Sequence, residues 1–117
     1  MEVDWYKCKG DVWCELDKID LEHKYLKGLE GVYIIWSQPE GKRNILKVSF
    51  GSIRTELKRD KEDLSLMAFS NYGIFVTWAD VSSFKRKGVA SYLIDQLKPK
   101  FVEKNVQASH IDVNLPW

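Results

Sequence analysis

The sequence predicts one small domain of the α/β (α+β) class, in which a mixed three-stranded sheet is flanked by helices. The chain has 117 residues, a usual length for a single domain. Hydrophobic residues make up 44% of the chain and charged residues 30%, so both a core and a polar surface can form. From residue 31 onward, segments with strand-like composition alternate with segments of helical periodicity. This alternation predicts the fold class.

Three apolar segments have the composition of β-strands. Residues 31–37 read GVYIIWS and residues 44–50 read NILKVSF, and both are rich in β-branched and aromatic side chains. Only six residues separate these two segments, which is typical of a hairpin. The third segment, residues 73–81, reads GIFVTWADV and is apolar enough for a largely buried strand.

Two segments have helical periodicity. The first predicted helix covers 52–63 with Ser52 as its N-cap, and the second covers 87–98 and ends before Pro99. Residues 63–72 fit either a short helix or a packed loop. The apolar residues at helical spacing are Ile53, Leu57 and Leu64 in the first helix and Val89, Tyr92, Leu93 and Leu97 in the second. The residues expected to be mostly buried are Val32, Ile34, Leu57, Phe75, Leu93 and Leu97.

The two ends of the chain give weaker patterns. Residues 1–30 are expected to form an N-terminal extension packed on a core of residues 31–99, with a strand within 12–16 and a helical turn within 21–26. Residues 100–117 are expected to form a C-terminal tail.

The net charge of +1 results from 18 Lys and Arg against 17 Asp and Glu, and by itself it predicts no nucleic-acid, membrane or acidic partner. The distribution is uneven, because residues 1–30 carry 5 basic and 8 acidic side chains. Residues 42–61 carry seven basic and two acidic side chains, and residues 85–104 carry six and two. If the fold brings these two windows together, they form a basic face. The alternative, a solvated surface with scattered lysines, explains the counts equally well.

No apolar run reaches the roughly 18 residues that a membrane span needs. The first ten residues include Glu2 and Asp4 and contain no apolar signal-peptide region. We therefore expect no membrane partner and a cytoplasmic protein, with the oligomeric state left open.

Cys8 and Cys14 are the two cysteines of the chain, and we expect them to be small, half-buried free thiols. A zinc site with His23 and His110 is the alternative. The five residues between the cysteines exceed the usual two to four, and the histidines are far apart in sequence. We therefore predict no metal site and no resident cofactor.

The order strand, strand, helix, strand, helix resembles the GIY-YIG nuclease domain. Residues 31–33 read GVY and match the first motif, and residues 47–49 read KVS where the second motif is expected. The helix that ends before Pro99 resembles the last helix of the family, and the ending NLPW (114–117) resembles that of a small stand-alone bacterial subset. The resemblance covers about residues 31–99.

This resemblance implies hydrolysis of phosphodiesters with one divalent metal, Mg²⁺ or Mn²⁺. In the family, two tyrosines flank the attacking water and the phosphate, an Arg on the first helix stabilises phosphate charge, and a Glu on the last helix binds the metal. Residue by residue, only Tyr33 is retained. The remaining positions are occupied by Lys47 and Ser49 in the second motif, by Glu56 in place of the helix Arg, and by Ala90 in place of the metal ligand.

Ala90 offers a metal no oxygen, and Glu56 would repel a phosphate. We therefore expect the domain to have lost hydrolysis and to bind nucleic acid, DNA or RNA. The residues expected to form the nucleic-acid-binding face are Tyr33, Lys47, Arg54, Arg59 and Lys87. Two alternatives remain open: a divergent metal-dependent endonuclease, and a scaffold-only module that binds a protein partner.

Arg59 lies one helical turn after Glu56 and fits either a partial substitute for the missing Arg or an exposed ion pair with that Glu. Aromatic residues make up 13% of the chain, which fits core packing. The alternative is a base-stacking groove formed by Tyr33, Trp36 or Trp78 beside the basic residues.

Overall fold

The computed structural model describes residues 1–102 and 106–117, and it has a four-stranded antiparallel sheet with helices on both faces. The strands are β1 (Cys14–Glu15), β2 (Glu30–Ser37), β3 (Asn44–Ser52) and β4 (Ile74–Asp80). The helices are α1 (Ile53–Lys61), α2 (Leu64–Met67) and α3 (Ser83–Leu97). The predicted α/β class is confirmed. Glu103 and Lys104, which belong to the second basic window, lie outside the described residues.

The strand order is β1-β4-β2-β3, which corrects the predicted mixed sheet of three strands. β2 pairs with both β3 and β4, and every pair of named strands is antiparallel. β3 and β4 run in the same direction, but β2 lies between them, so these two strands do not pair with each other. The fourth strand, β1, has only two residues, which is too short for a clear alternating pattern in the sequence.

The predicted hairpin is the β2–β3 pair, and both predicted helices are present. α3 begins at Ser83, four residues before the predicted start. The early start was missed because the side chains of this first turn point to solvent, and Phe84 is 86% exposed. Residues 63–72, which fitted either a helix or a loop, contain the short helix α2 and a 3-10 turn at Ser70–Tyr72.

The side chains of β2 alternate between the two faces of the sheet. Tyr33 and Ile35 point to the α1 face, which α1, α2 and residues 6–29 cover. Val32, Ile34 and Trp36 point to the α3 face, which α3 and the C-terminal tail cover. Of the predicted core, Val32, Ile34, Leu57 and Leu93 are fully buried, whereas Phe75 and Leu97 are half-buried near the ends of their elements.

Gly31 occupies the position where β2 passes closest to β4. A Cβ atom at this residue would lie 1.9 Å from the carbonyl oxygen of Ala79, so no larger residue fits there without moving the backbone. The first residue of the GVY motif therefore has a packing role that is independent of any chemistry.

Residues 6–29 form the segment that we call the strap. Its first part is a small hairpin in which Cys8 and Val12 form a β-bridge and Gly10 and Asp11 have positive φ. This turn brings the Cα atoms of Cys8 and Cys14 to 5.1 Å, and the two residues form a disulfide. The expectation of two free thiols is therefore wrong, because the sequence spacing alone does not reveal the turn. Both sulfurs are bonded to each other, which also rules out the zinc alternative in this structure.

No helix among residues 1–102 and 106–117 is both long and apolar enough to cross a membrane.

Candidate functional site: a closed polar network beneath the strap

Of the positions that the resemblance assigns to catalysis, Tyr33, Lys47 and Glu56 meet on the α1 face of the sheet, whereas Ala90 lies on the α3 face. Across the β2–β3 hairpin, Tyr33 pairs with Ser49, and Ile35 pairs with Lys47. α1 follows β3 directly, because the Ser52 side chain caps the helix by accepting a hydrogen bond from the Thr55 amide. α1 therefore packs against β2 and β3.

Asp60, in the last turn of α1, holds the centre of the network. One carboxylate oxygen accepts a hydrogen bond from Lys47 Nζ at 2.6 Å, and the other accepts one from the Tyr33 hydroxyl at 2.7 Å. Lys47 and Asp60 are each 1% exposed and Tyr33 is 0% exposed. The two opposite charges neutralise each other away from water, which is the usual condition for burying either one.

Tyr33 is a hydrogen-bond donor in this network. Burial raises the pKa of its hydroxyl far above the ordinary value, and the negative charge of Asp60 and the hydrogen bond to it raise the pKa further. The negative charge of Glu56 adds a smaller effect on the pKa of Tyr33 in the same direction. The hydroxyl therefore stays protonated at neutral pH and does not accept a proton from a water molecule.

The strap packs against the α1 face beside the network. Leu16, Leu21 and Leu26 pack into the same core cluster as Tyr33. Three basic side chains spaced along α1 also hold the strap. Arg54 donates to the carbonyl oxygens of Leu21 at 2.7 Å and His23 at 2.9 Å, Lys61 donates to that of Ile19 at 3.1 Å, and Lys58 forms an ion pair with Glu22.

The predicted nucleic-acid-binding face is therefore not formed as one surface. Tyr33 and Lys47 were expected on this face, but both are buried and do not reach its surface. Arg54 is part-buried and uses its guanidinium on the strap. Arg59 is exposed and lies 3.4 Å from Glu56, so the predicted ion pair forms. Lys87 is exposed on α3, on the opposite side of the sheet from α1.

The residues present do not fit the metal that the resemblance implies. Ala90 is fully buried within the α3 face, whereas Glu56 and Tyr33 belong to the α1 face. Across residues 1–102 and 106–117 there is no group of three or more His, Cys, Asp or Glu side chains arranged to hold a metal ion.

The proposed stacking groove is also absent. Trp36 points to the α3 face, and Trp78 and Tyr33 point to the α1 face, so the three rings do not share a surface. All three are at most 3% exposed, which agrees with core packing.

Sequence reasoning missed Asp60, the residue that connects Lys47 to Tyr33. Two features of the sequence could have indicated it. Lys47 stands between Leu46 and Val48 in a strand with apolar neighbours, and a lysine in such a position needs a carboxylate partner. Asp60 lies three residues after Leu57, on the same side of α1 as that buried leucine.

No protein-family model, curated protein or solved structure matches the chain.

Proposed function

We propose that this chain is a GIY-YIG-like domain that does not hydrolyse phosphodiesters and that binds nucleic acid. The order of its elements supports the resemblance. A central strand pairs with the next strand in a hairpin, a helix follows, and the strand after that returns to the other edge of the central strand before a final helix.

The closed network is the observation that supports the loss of hydrolysis. A hydrolytic site needs a space where a water molecule and a phosphate can meet the reacting groups. Here the Tyr33 hydroxyl and the Lys47 ammonium both donate to Asp60, and the strap packs in the same core cluster as Tyr33. Ala90 supplies no metal ligand. Tyr33 is thus retained but buried, and Lys47 and Ala90 occupy the positions where the implied mechanism needs a second tyrosine and a metal ligand.

Binding depends on the basic side chains that remain exposed. Of the predicted set, Arg59 and Lys87 reach solvent, and both can contact phosphate oxygens without any change of the core. Because these two residues lie on opposite sides of the sheet, we expect each to bind phosphates independently, with a weak and salt-sensitive contribution.

Two measurements test this proposal. Incubation with single- and double-stranded DNA and RNA in Mg²⁺ or Mn²⁺ should give no cleavage above a no-protein control. Binding to the same molecules should weaken linearly on a plot of log K against log salt concentration. Metal-dependent cleavage that is lost in Tyr33→Phe would contradict the proposal and favour the divergent endonuclease.

A scaffold that binds a protein partner is the second candidate, and one observation favours it. Three basic residues of α1, Arg54, Lys58 and Lys61, are already engaged by the strap. The helix therefore has fewer cations for phosphate than its sequence suggests. Failure of the parent protein to bind any nucleic acid at low salt would make this second candidate the better account.

A further inference from the structure

Three tryptophans meet at the hairpin end of the α3 face. Trp36 lies at the centre and is fully buried. Trp13 contacts it edge-on, with ring centroids 5.5 Å apart and planes at 85°. Trp117 contacts it in the same way from another direction, at 5.2 Å and 88°. Because Trp13 and Trp117 are only half-buried, part of each indole reaches the surface.

A cation covers each of the two outer rings. Lys7 Nζ lies 4.6 Å from the centroid of the Trp13 ring, and the Arg43 guanidinium carbon lies 4.2 Å from that of Trp117. Lys42 is exposed in the same turn as Arg43. We call the surface formed by Lys7, Trp13, Lys42, Arg43 and Trp117 the tryptophan patch.

The five residues of the tryptophan patch carry three positive side-chain charges and no negative one. Acidic residues near these cations in the chain are Asp4, Glu40 in the hairpin turn, and Asp11, whose carboxylate lies 3.7 Å from Lys7 Nζ. Within the described part of the chain, Arg43 forms no hydrogen bond and no ion pair. Its N–H groups are therefore turned to solvent while the Trp117 ring restrains its position.

This arrangement suits an unpaired nucleotide better than a duplex. A guanidinium restrained on an indole keeps its planar fork of donors available to phosphate oxygens, and its free face can stack with a base. Stacking requires a base that is not already stacked in a double helix. An acidic protein segment would satisfy the cations but would leave the planar surface unused.

We propose that the tryptophan patch binds single-stranded nucleic acid, with Lys42 and Arg43 contacting phosphates and with bases stacking beside Trp13 and Trp117. This inference rests on the proposed nucleic-acid binding, and it adds to Arg59 and Lys87 a separate surface that is selective for single strands.

The test is a fluorescence-anisotropy titration of labelled oligothymidylate, oligouridylate and a DNA duplex at several salt concentrations. The main variant is Lys42→Glu with Arg43→Glu. The matched control is Lys24→Glu with Lys27→Glu, which makes the same change of charge at two exposed strap positions outside the patch. A third variant, Arg43→Lys, keeps the charge but removes the planar group. Thermal unfolding of each variant verifies the fold.

We expect the parent to bind the single strands more tightly than the duplex, with quenching of tryptophan fluorescence. The patch variant should lose about tenfold or more in affinity, and its salt slope should fall by about 0.7 for each lost phosphate contact. The control should change less than the patch variant, and Arg43→Lys should fall between the parent and the patch variant.

Equal losses in the patch variant and the control would show a general effect of charge and would overturn the assignment of the patch. Unchanged binding in the patch variant would also overturn it, while leaving the proposed function intact. No binding by the parent to any of the three probes at low salt would overturn both.

Discussion

The two faces of the sheet are both buried, but they are stabilised by different chemistry. The α3 face is packed from apolar side chains such as Val32, Ile34 and Leu93. The α1 face combines apolar packing with a buried lysine, aspartate and tyrosine. Since the same strands supply both faces, the difference comes from alternate residues along β2 and β3.

This difference affects which substitutions each face tolerates. An apolar face tolerates only residues of similar volume, whereas a polar face tolerates replacement when the whole set stays satisfied. On the α1 face, Lys47 occupies the position that the resemblance assigns to a second tyrosine, and Asp60 neutralises it. The network therefore behaves as one unit, and it should respond to mutation differently from the α3 face.

The largest effect is expected for Asp60→Ala. The substitution removes the carboxylate that neutralises the Lys47 ammonium and accepts from Tyr33, and breaking such a buried pair costs about 3 to 5 kcal/mol in the free energy of unfolding. Urea denaturation measures the loss. The triple variant Tyr33→Phe, Lys47→Met, Asp60→Leu replaces all three of these polar side chains with apolar ones and should recover most of the stability. A triple variant as unstable as Asp60→Ala would show that the three residues do not act as one unit.

On the α3 face, Leu93→Ala should cost about 2 to 5 kcal/mol, because it leaves a cavity beneath a fully buried position. A second substitution on this face should not recover stability, in contrast to the triple variant on the α1 face. Adding Val89→Ala to Leu93→Ala should deepen the loss, since both side chains contribute only packing. Recovery of stability in this double variant would show that the two faces do not differ as described.

Tyr33→Phe should cost about 1.5 to 3 kcal/mol at neutral pH, because a buried hydrogen bond to a charged acceptor is lost. The pH dependence sharpens the comparison. The pKa of Tyr33 is raised in the folded state, so its contribution to stability is complete below the ordinary tyrosine pKa of about 10 and falls as the pH rises above it.

Absorbance of tyrosinate between about pH 9 and 11 measures this directly. While the protein is folded, the titration curves of the parent and Tyr33→Phe should coincide, since Tyr33 does not ionise in that range. If the folded parent showed the ionisation of one more tyrosine than the Tyr33→Phe variant, Tyr33 would not be held in the closed network.

The smallest effect is expected for reduction of the disulfide. The Cys8–Cys14 bond closes a loop with a sequence separation of only 6, and short loops gain least, roughly 2 kcal/mol. Cys8→Ser with Cys14→Ser should lower the melting temperature to the value that the parent shows in reductant, and reductant should not affect the variant. If reductant also lowered the melting temperature of the double variant, the reductant would be acting on something other than this disulfide.

The sequence indicated the sheet and the two main helices because their signals are local. The β2–β3 hairpin follows from two strand-like segments and a short gap, and α3 follows from the spacing of Val89 and Leu93. The burial of Tyr33 and Lys47 could not be predicted in this way, since it depends on the strap, whose residues come from a distant part of the chain.

The same reason explains the errors at the site. The sequence shows only that positions 54 and 59 are both basic. The fold distinguishes them, because Arg54 donates hydrogen bonds to backbone carbonyl groups whereas Arg59 reaches solvent. Helical spacing predicted which residues of α3 point to the core. It did not indicate that α1 and α3 cover opposite faces of the sheet.

Asn114 has a consequence for how the chain folds. Its side chain accepts a hydrogen bond from the Val3 amide at 2.7 Å and donates one to the Val3 carbonyl at 3.0 Å, and these contacts span 111 positions. The entropy lost on closing a loop grows with its length, so the β2–β3 hairpin can form long before this contact. The pairing of Val3 with Asn114 is therefore expected to be among the last steps of folding, and it completes the cover of the α3 face.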